Sequence, residues 1–240
     1  MESTGRIALV TGAGKRLGRA LALGLARAGA RVAVHFHTST AGALETVAAI
    51  RDAGGNARAF AADLADPHAA GALVDTVADT LGGLDILVNS SGVMRHVALD
   101  NVTPAEWDAT FAINLRSQFF TSQAAARRMA SNGGVIINMA DLAAFEAWTG
   151  YIPHCVSKAG VVALTQALAH ALGPKIRVNA IAPGAVLLPD GFDPARLVST
   201  TPLKRLGSPD DVVQTMLYLI GADYVTGETI IVDGGRHVRT

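Results

Sequence analysis

Asp141, His154 and Lys158 are the residues whose types and spacing could do chemistry. His154 and Lys158 stand four apart in an Ala/Val-rich stretch of helical spacing, so both fall on one helix face, one turn apart. Asp141 stands thirteen residues ahead of His154, just past a β-branched run. Imidazole is the commonest general acid in enzymes, and a carboxylate with an ordered water offers a second route for a proton. Asn114 sits on the inner side of a long apolar helical stretch and adds an amide. Tyr151, seven residues before Lys158 and ahead of Pro153, is one more candidate donor. Together these groups could exchange a proton with a bound molecule.

A second constellation is a glycine-rich turn. The run Thr11-Gly12-Ala13-Gly14-Lys15-Arg16-Leu17-Gly18 closes an apolar strand and opens a helix. Glycines there permit a tight turn, and the free N–H groups of the helix start can meet a pyrophosphate. Leu17 fills the third slot of the common glycine spacing, so the motif departs from the usual form. A carboxylate at the end of the second strand would hold the ribose hydroxyls of NAD(H). The sequence there reads Val34-His35-Phe36-His37-Thr38-Ser39 and has none, while Lys15 and Arg16 lie in the turn. Cations and hydroxyls without a carboxylate suit a 2′-phosphate, which favours NADP(H). His35 and His37 share a strand face, but no third ligand accompanies them at suitable spacing, so no metal is expected.

Elements must hold these groups in place. Short β-branched runs at 7–11, 32–35, 58–61, 85–89, 135–138, 177–181 and 229–232 read as buried strands. Helical stretches at 18–28, 41–53, 67–81, 104–131, 153–172 and 209–221 separate them. Repeated alternation implies an α/β fold: one doubly wound Rossmann domain over 1–240, with a seven-stranded parallel sheet and three helices on each face. Thr103-Pro104-Ala105-Glu106 resembles a capping box, and Ser208-Pro209-Asp210-Asp211 puts a capping serine before proline and two acids. The irregular segment 185–207 reads as a substrate loop.

Composition bounds the rest. Of 240 residues, 50% are hydrophobic and 17% charged, enough to bury a large core. Twenty basic residues balance twenty acidic ones, which argues against a nucleic-acid surface or a polybasic membrane anchor. The single Cys155 leaves no internal disulfide. No uninterrupted apolar run reaches the roughly 18 residues of a membrane span, and the N-terminus lacks the pattern of a signal peptide. A cytoplasmic protein with a small-molecule substrate is expected.

Taken in order, these signatures resemble the short-chain dehydrogenase/reductase family over essentially the whole chain. Thr11–Gly18 is similar to the family's TGxxxGxG turn, with Arg16 in place of the middle glycine. Asp63-Leu64, Asn89-Ser90-Ser91-Gly92, Asn114, Ser157-Lys158, Pro183-Gly184 and Val225-Thr226-Gly227-Glu228 follow at compatible spacing. The resemblance implies a cofactor held by Gly12, Gly14, Lys15, Arg16, Leu17, Gly18, His35, His37, Ser39, Asp63, Leu64, Asn89, Ser90, Lys158, Pro183 and Gly184. It also implies a catalytic set of Asn114, Asp141, His154 and Lys158, in which His154 stands where the family has tyrosine.

The Lys-Arg-Leu-Gly turn, the His35-Phe36-His37 run and Asp141 in place of the usual serine resemble the pteridine reductases within the family. The aromatic residue with which those enzymes clamp the pterin is Met94 here. The resemblance therefore implies NADPH-dependent reduction of a C=N bond in a dihydropteridine or folate-type substrate, with Arg16, Met94, Asp141 and Leu188 around it. Two alternatives stand beside it: reduction of a ketone or acyl-thioester carbonyl with His154 as the acid, and a catalytically silent NADP(H)-binding sensor or subunit. A homotetramer is the family's expected assembly, with the 104–131 and 153–172 helices across one interface.

Overall fold

Seven short runs of β-branched and apolar residues pair into one sheet, because each is too apolar to leave either face in water. In the computed structural model, which describes residues 1–188 and 193–238, the strands are β1 (Ile7–Val10), β2 (Arg31–Phe36), β3 (Asn56–Ala61), β4 (Ile86–Asn89), β5 (Gly134–Met139), β6 (Ile176–Pro183) and β7 (Thr229–Val232). All pair in parallel, in the order β3-β2-β1-β4-β5-β6-β7. The order reverses between β1 and β4, where Ala8 pairs with Ile86 and Val10 with Val88. A crevice opens at such a switch point, beyond the carboxyl ends of the strands.

Helices cover both faces, which is why β1, β4 and β5 are buried at every position. On one face α1 (Arg16–Arg27), α2 (Thr40–Asp52) and α8 (Pro209–Gly221) pack Leu21, Leu25, Ile50 and Met216 against Val10, Val32 and Ile137. On the other, α3 (Pro67–Leu81), α5 (Ser117–Met129) and α6 (Ile152–Leu172) pack Leu73, Met129 and Leu168 against Leu9, Leu87 and Val178. The three-and-three layering matches the sequence expectation. Each fully buried aliphatic side chain contributes about 1.5–3 kcal/mol, so the site sits at the ends of the most deeply buried strands.

Both expected N-caps form, but at Thr103 only the cap half of the expected box is made. Thr103 accepts from the Glu106 N–H at 3.2 Å, ahead of α4 (Pro104–Phe111). Ser208 and Asp211 complete a reciprocal capping box at the start of α8.

Three expectations need correction. The run 104–131 is not one helix: α4 ends at Phe111, a π turn spans Ala112–Arg116, and α5 continues from Ser117. Segment 185–207 is not wholly irregular, because Asp193 caps a short helix α7 (Pro194–Thr200) by accepting from the Ala195 N–H at 2.9 Å; its Pro189-Asp190-Gly191 turn lies outside the described residues. Finally, α6 has the length (21 residues) and mean hydropathy (1.3) of a membrane-crossing helix. Its Val161, Leu168 and Ala169 are instead spent on the core against β6.

Candidate active site

The glycine turn is built by a polar tie between two strand ends. Thr11 Oγ1, just past β1, accepts from the backbone N–H groups of Ser90 and Ser91, just past β4, at 2.9 and 3.0 Å. A Cβ on Gly18 would run into the Gly12 carbonyl, and Gly12 itself has φ of +67°. The turn is thus closed to side chains on its inner wall, leaving a backbone cradle at the start of α1. Arg16, in the position where the family pattern has glycine, takes a left-handed φ of +50°, and its Nη2 donates to the Leu187 carbonyl at 2.7 Å across the cleft.

His35 braces this turn from below. Its Nδ1 accepts from the Gly12 N–H at 3.1 Å, which leaves the proton on Nε2, 3.2 Å from the Ala62 carbonyl. Burial pushes its pKa down to about 4, so the ring is neutral near pH 7. The sequence places it among the cofactor-binding residues; it lines the cleft, 1% exposed, as a neutral ring with both nitrogens engaged. His37 is the exposed member of the pair, its Nδ1 3.9 Å from Asp63 Oδ1.

The proton-handling end is built around one backbone residue, Val93. The π turn brings Asn114 fully inside the protein. Its Oδ1 accepts from the Val93 N–H at 2.8 Å, and its Nδ2 donates to the Val93 carbonyl at 2.9 Å and to Ser157 Oγ at 3.0 Å. Nδ2 also lies 3.3 Å from His154 Nδ1. That Nδ1 is 3.1 Å from the same Val93 carbonyl, which can only accept, so the bond forms with the proton on Nδ1. Its Nε2 faces Asp141 Oδ2 at 3.6 Å and, although buried, has no hydrogen-bond partner among the described residues.

Asp141 is held by its other oxygen, which accepts from the Ala143 N–H at 2.8 Å. One turn along α6, Lys158 Nζ donates to the Met139 carbonyl at 2.7 Å. Burial pushes the Lys158 pKa down, and the Asp141 charge opposes that shift. A buried ring nitrogen without a partner, beside a carboxylate and an ammonium, is a site for proton transfer to a group entering the cleft.

The cleft encloses about 750 Å³ and runs from the β2 end, past the glycine turn, to His154. A family model described as "Enoyl-(Acyl carrier protein) reductase" matches residues 12–237. The chain belongs to the short-chain dehydrogenase/reductase family. It is similar to a D-threitol dehydrogenase of Mycolicibacterium smegmatis, with 36% identity over 98% of this chain and 94% of the other. A 3-oxoacyl-[acyl-carrier-protein] reductase of Synechocystis is 34% identical over 97% of each chain. Among solved structures, a gluconate 5-dehydrogenase from Burkholderia cenocepacia in complex with NADP and tartrate superposes with a TM-score of 0.92, at 31% identity over 99% of this chain and 97% of the other. As a member of this family the protein is an NAD(P)-dependent oxidoreductase.

In this short-chain dehydrogenase/reductase most sequence-predicted residues meet in one place. Gly12, Gly14, Lys15, Arg16, Leu17, Gly18, His35, His37, Ser39, Asp63, Leu64, Ser90, Met94, Asp141, His154, Lys158, Pro183 and Gly184 all line the cleft. Asn89 does not. Its amide donates to Ser122 and Asn138 and accepts from Thr121, a buried network that ties β4 to α5 and β5. Leu188 is also off the wall; Leu187 takes that place, because Arg16 holds the Leu187 carbonyl at the cleft edge. Asn114 acts from behind His154 rather than from the cleft surface. Tyr151 is the residue before α6, and its ring packs on His96 and Trp148. Val93 was missed, and no sequence signal marks it, since its contribution is a backbone carbonyl.

The residues at the other end fit NADP(H). Lys15, His37, Thr38 and Ser39 face the cleft beyond the glycine cradle, and no residue from Val34 to Ser39 is acidic.

Proposed function

We propose that this protein is an NADP(H)-dependent carbonyl reductase in which Nε2 of His154 donates the proton to the carbonyl oxygen. The observation that carries this reading is the fixed ring: Nδ1–H is held by the Val93 carbonyl at 3.1 Å, and Nε2 is left without a partner at the cleft. A nicotinamide cofactor, when bound, supplies the hydride. Lys15, Arg16 and Ser39 present two cations and a hydroxyl to its phosphates. With Nδ1–H kept on Val93, the ring acts as the imidazolium: it gives up the Nε2 proton as the oxygen gains charge and ends as the neutral Nδ1–H ring, a role worth about 10²- to 10⁴-fold in rate. Asp141, 3.6 Å away, is placed to relay a proton from solvent back to Nε2.

Two facts favour a carbonyl over a pterin C=N bond. The names of the relatives (threitol dehydrogenase, 3-oxoacyl reductase, gluconate 5-dehydrogenase) denote carbonyl–alcohol interconversion. Met94, Val93 and Leu187 line the cleft, and the only ring lining it among the described residues, other than histidines, is Phe36 at the end of β2. A flat pterin would find no aromatic partner there. Reduction of a dihydropteridine is the second reading, and it rests on the carboxylate of Asp141, whose side chain is 26% exposed.

The test is NADPH oxidation by the purified protein with 3-oxoacyl thioesters, keto sugar acids and simple ketones, beside dihydrobiopterin. Saturable turnover of a carbonyl compound is the expected result. Turnover of the pterin alone would move the role to Asp141. NADPH binding without any turnover would leave a silent cofactor-binding protein.

A further inference from the structure

The His154 ring has a neighbour that proton transfer itself does not require. Trp148 lies nearly parallel to it, with ring centroids 6.5 Å apart and planes inclined by 18°. The indole is itself tethered: its Nε1 donates to Glu146 Oε2 at 2.8 Å. That same oxygen lies 3.5 Å from Nη2 of Arg236, ninety residues along the chain in the segment that follows β7. The Glu146 side chain is only 7% exposed and that of Arg236 21%, so the pair is shielded from solvent and from screening salt.

We propose that Trp148, anchored through Glu146 to Arg236, is a positioning residue that sets the plane of the His154 imidazole. This rests on the reading of His154 as the proton donor. The ring is otherwise fixed at one point, its Nδ1 bond to Val93, about which it could tilt. An aromatic face alongside removes that freedom and keeps Nε2 directed at the cleft. The tether matters because the loop between β5 and α6 carries Trp148 outside any helix or strand, and the ion pair ties that loop to the chain beyond β7. The ionisable groups around the two rings are Asp141 and Lys158 on the cleft side, and Glu146, Arg236 and Tyr151 on the indole side.

The full-length protein offers a direct spectroscopic test, since Trp107 and Trp148 are its two tryptophans. In Trp107→Phe the emission comes from Trp148 alone, and the ring alongside it is that of His154. Replacing that ring with an amide in His154→Gln should therefore change the intensity of Trp148 emission. Activity is the second arm. Trp148→Ala should lower kcat by about tenfold and alter its pH profile, with the KM for NADPH unchanged. Arg236→Ala should do so more weakly, and Trp148→Phe should recover most of the loss.

Trp148 emission of equal intensity with and without His154→Gln would overturn the stacking. Wild-type kcat and pH profile in both Trp148→Ala and Arg236→Ala, with His154→Gln inactive, would overturn positioning while leaving the proton donor intact. Full activity in His154→Gln would remove the donor reading and this proposal with it.

Discussion

Asn114 brackets Val93 on both sides of one residue, its Oδ1 accepting from the Val93 N–H at 2.8 Å and its Nδ2 donating to the Val93 carbonyl at 2.9 Å. The same carbonyl takes the Nδ1 proton of His154. One side-chain amide therefore locks the chain just past β4 and, through it, the tautomer of the ring on α6. Asn114 in this arrangement acts on the donor rather than on the substrate.

Asn114→Ala removes the side-chain bonds to Val93 and Ser157 and the contact with His154 Nδ1, and leaves the Val93 N–H without its acceptor. Stability should fall by about 2 kcal/mol, read as a lower urea midpoint at unchanged slope. Activity should fall further than occupancy of the folded state explains, because Val93 and with it the imidazole lose their fixed orientation. Equal stability and activity in the variant would contradict the bracket.

His35 gives the fold a pH dependence of defined sign. Its pKa is about 4 in the folded protein against 6.5 for a free imidazole, so protonation favours the unfolded chain. Stability is complete above pH 6.5 and declines as pH falls towards 4, by at most about 3 kcal/mol. Asp211 and Asp233, held below the ordinary carboxylate range by Arg205 and by His237, begin to cost stability only at lower pH. Urea midpoints measured between pH 7 and 4.5 should therefore drop in the wild type and stay nearly level in His35→Asn.

The sheet, its two helical layers and most cleft residues were legible because they are properties of periodicity and of local turns. The strands announced themselves by β-branched runs, and the glycine turn by its place between a strand and a helix. What stayed hidden depends on hydrogen bonds between residues distant in sequence. The π turn at 112–116 is a slip of the backbone ladder, and nothing in the apolar pattern of 104–131 distinguishes it from continuous helix. His35 shares a strand face with His37, but only the folded contact with Gly12 shows that it serves the cleft by bracing the glycine turn. Asn89 matched a family motif, yet its side chain points into the core, where Thr121, Ser122 and Asn138 satisfy it.

Cofactor choice can be reversed at one position. His37 lies just past β2, where a carboxylate would accept the ribose hydroxyls and repel a 2′-phosphate. His37→Asp should shift the ratio of kcat/KM for NADPH over NADH towards NADH by about tenfold or more. Comparison of the two cofactors at a saturating second substrate measures this, and an unchanged ratio would place the 2′-phosphate elsewhere.

The most direct measurement compares wild type with His154→Gln on the best carbonyl substrate, with NADPH affinity determined separately by fluorescence. Glutamine fills a similar volume and can still donate to Val93, but it cannot transfer a proton. A loss of at least about 100-fold in kcat, with NADPH binding within a factor of about two, is the expected result. Comparable kcat in the two proteins would contradict the account, because the group at the centre of the site would then carry no proton.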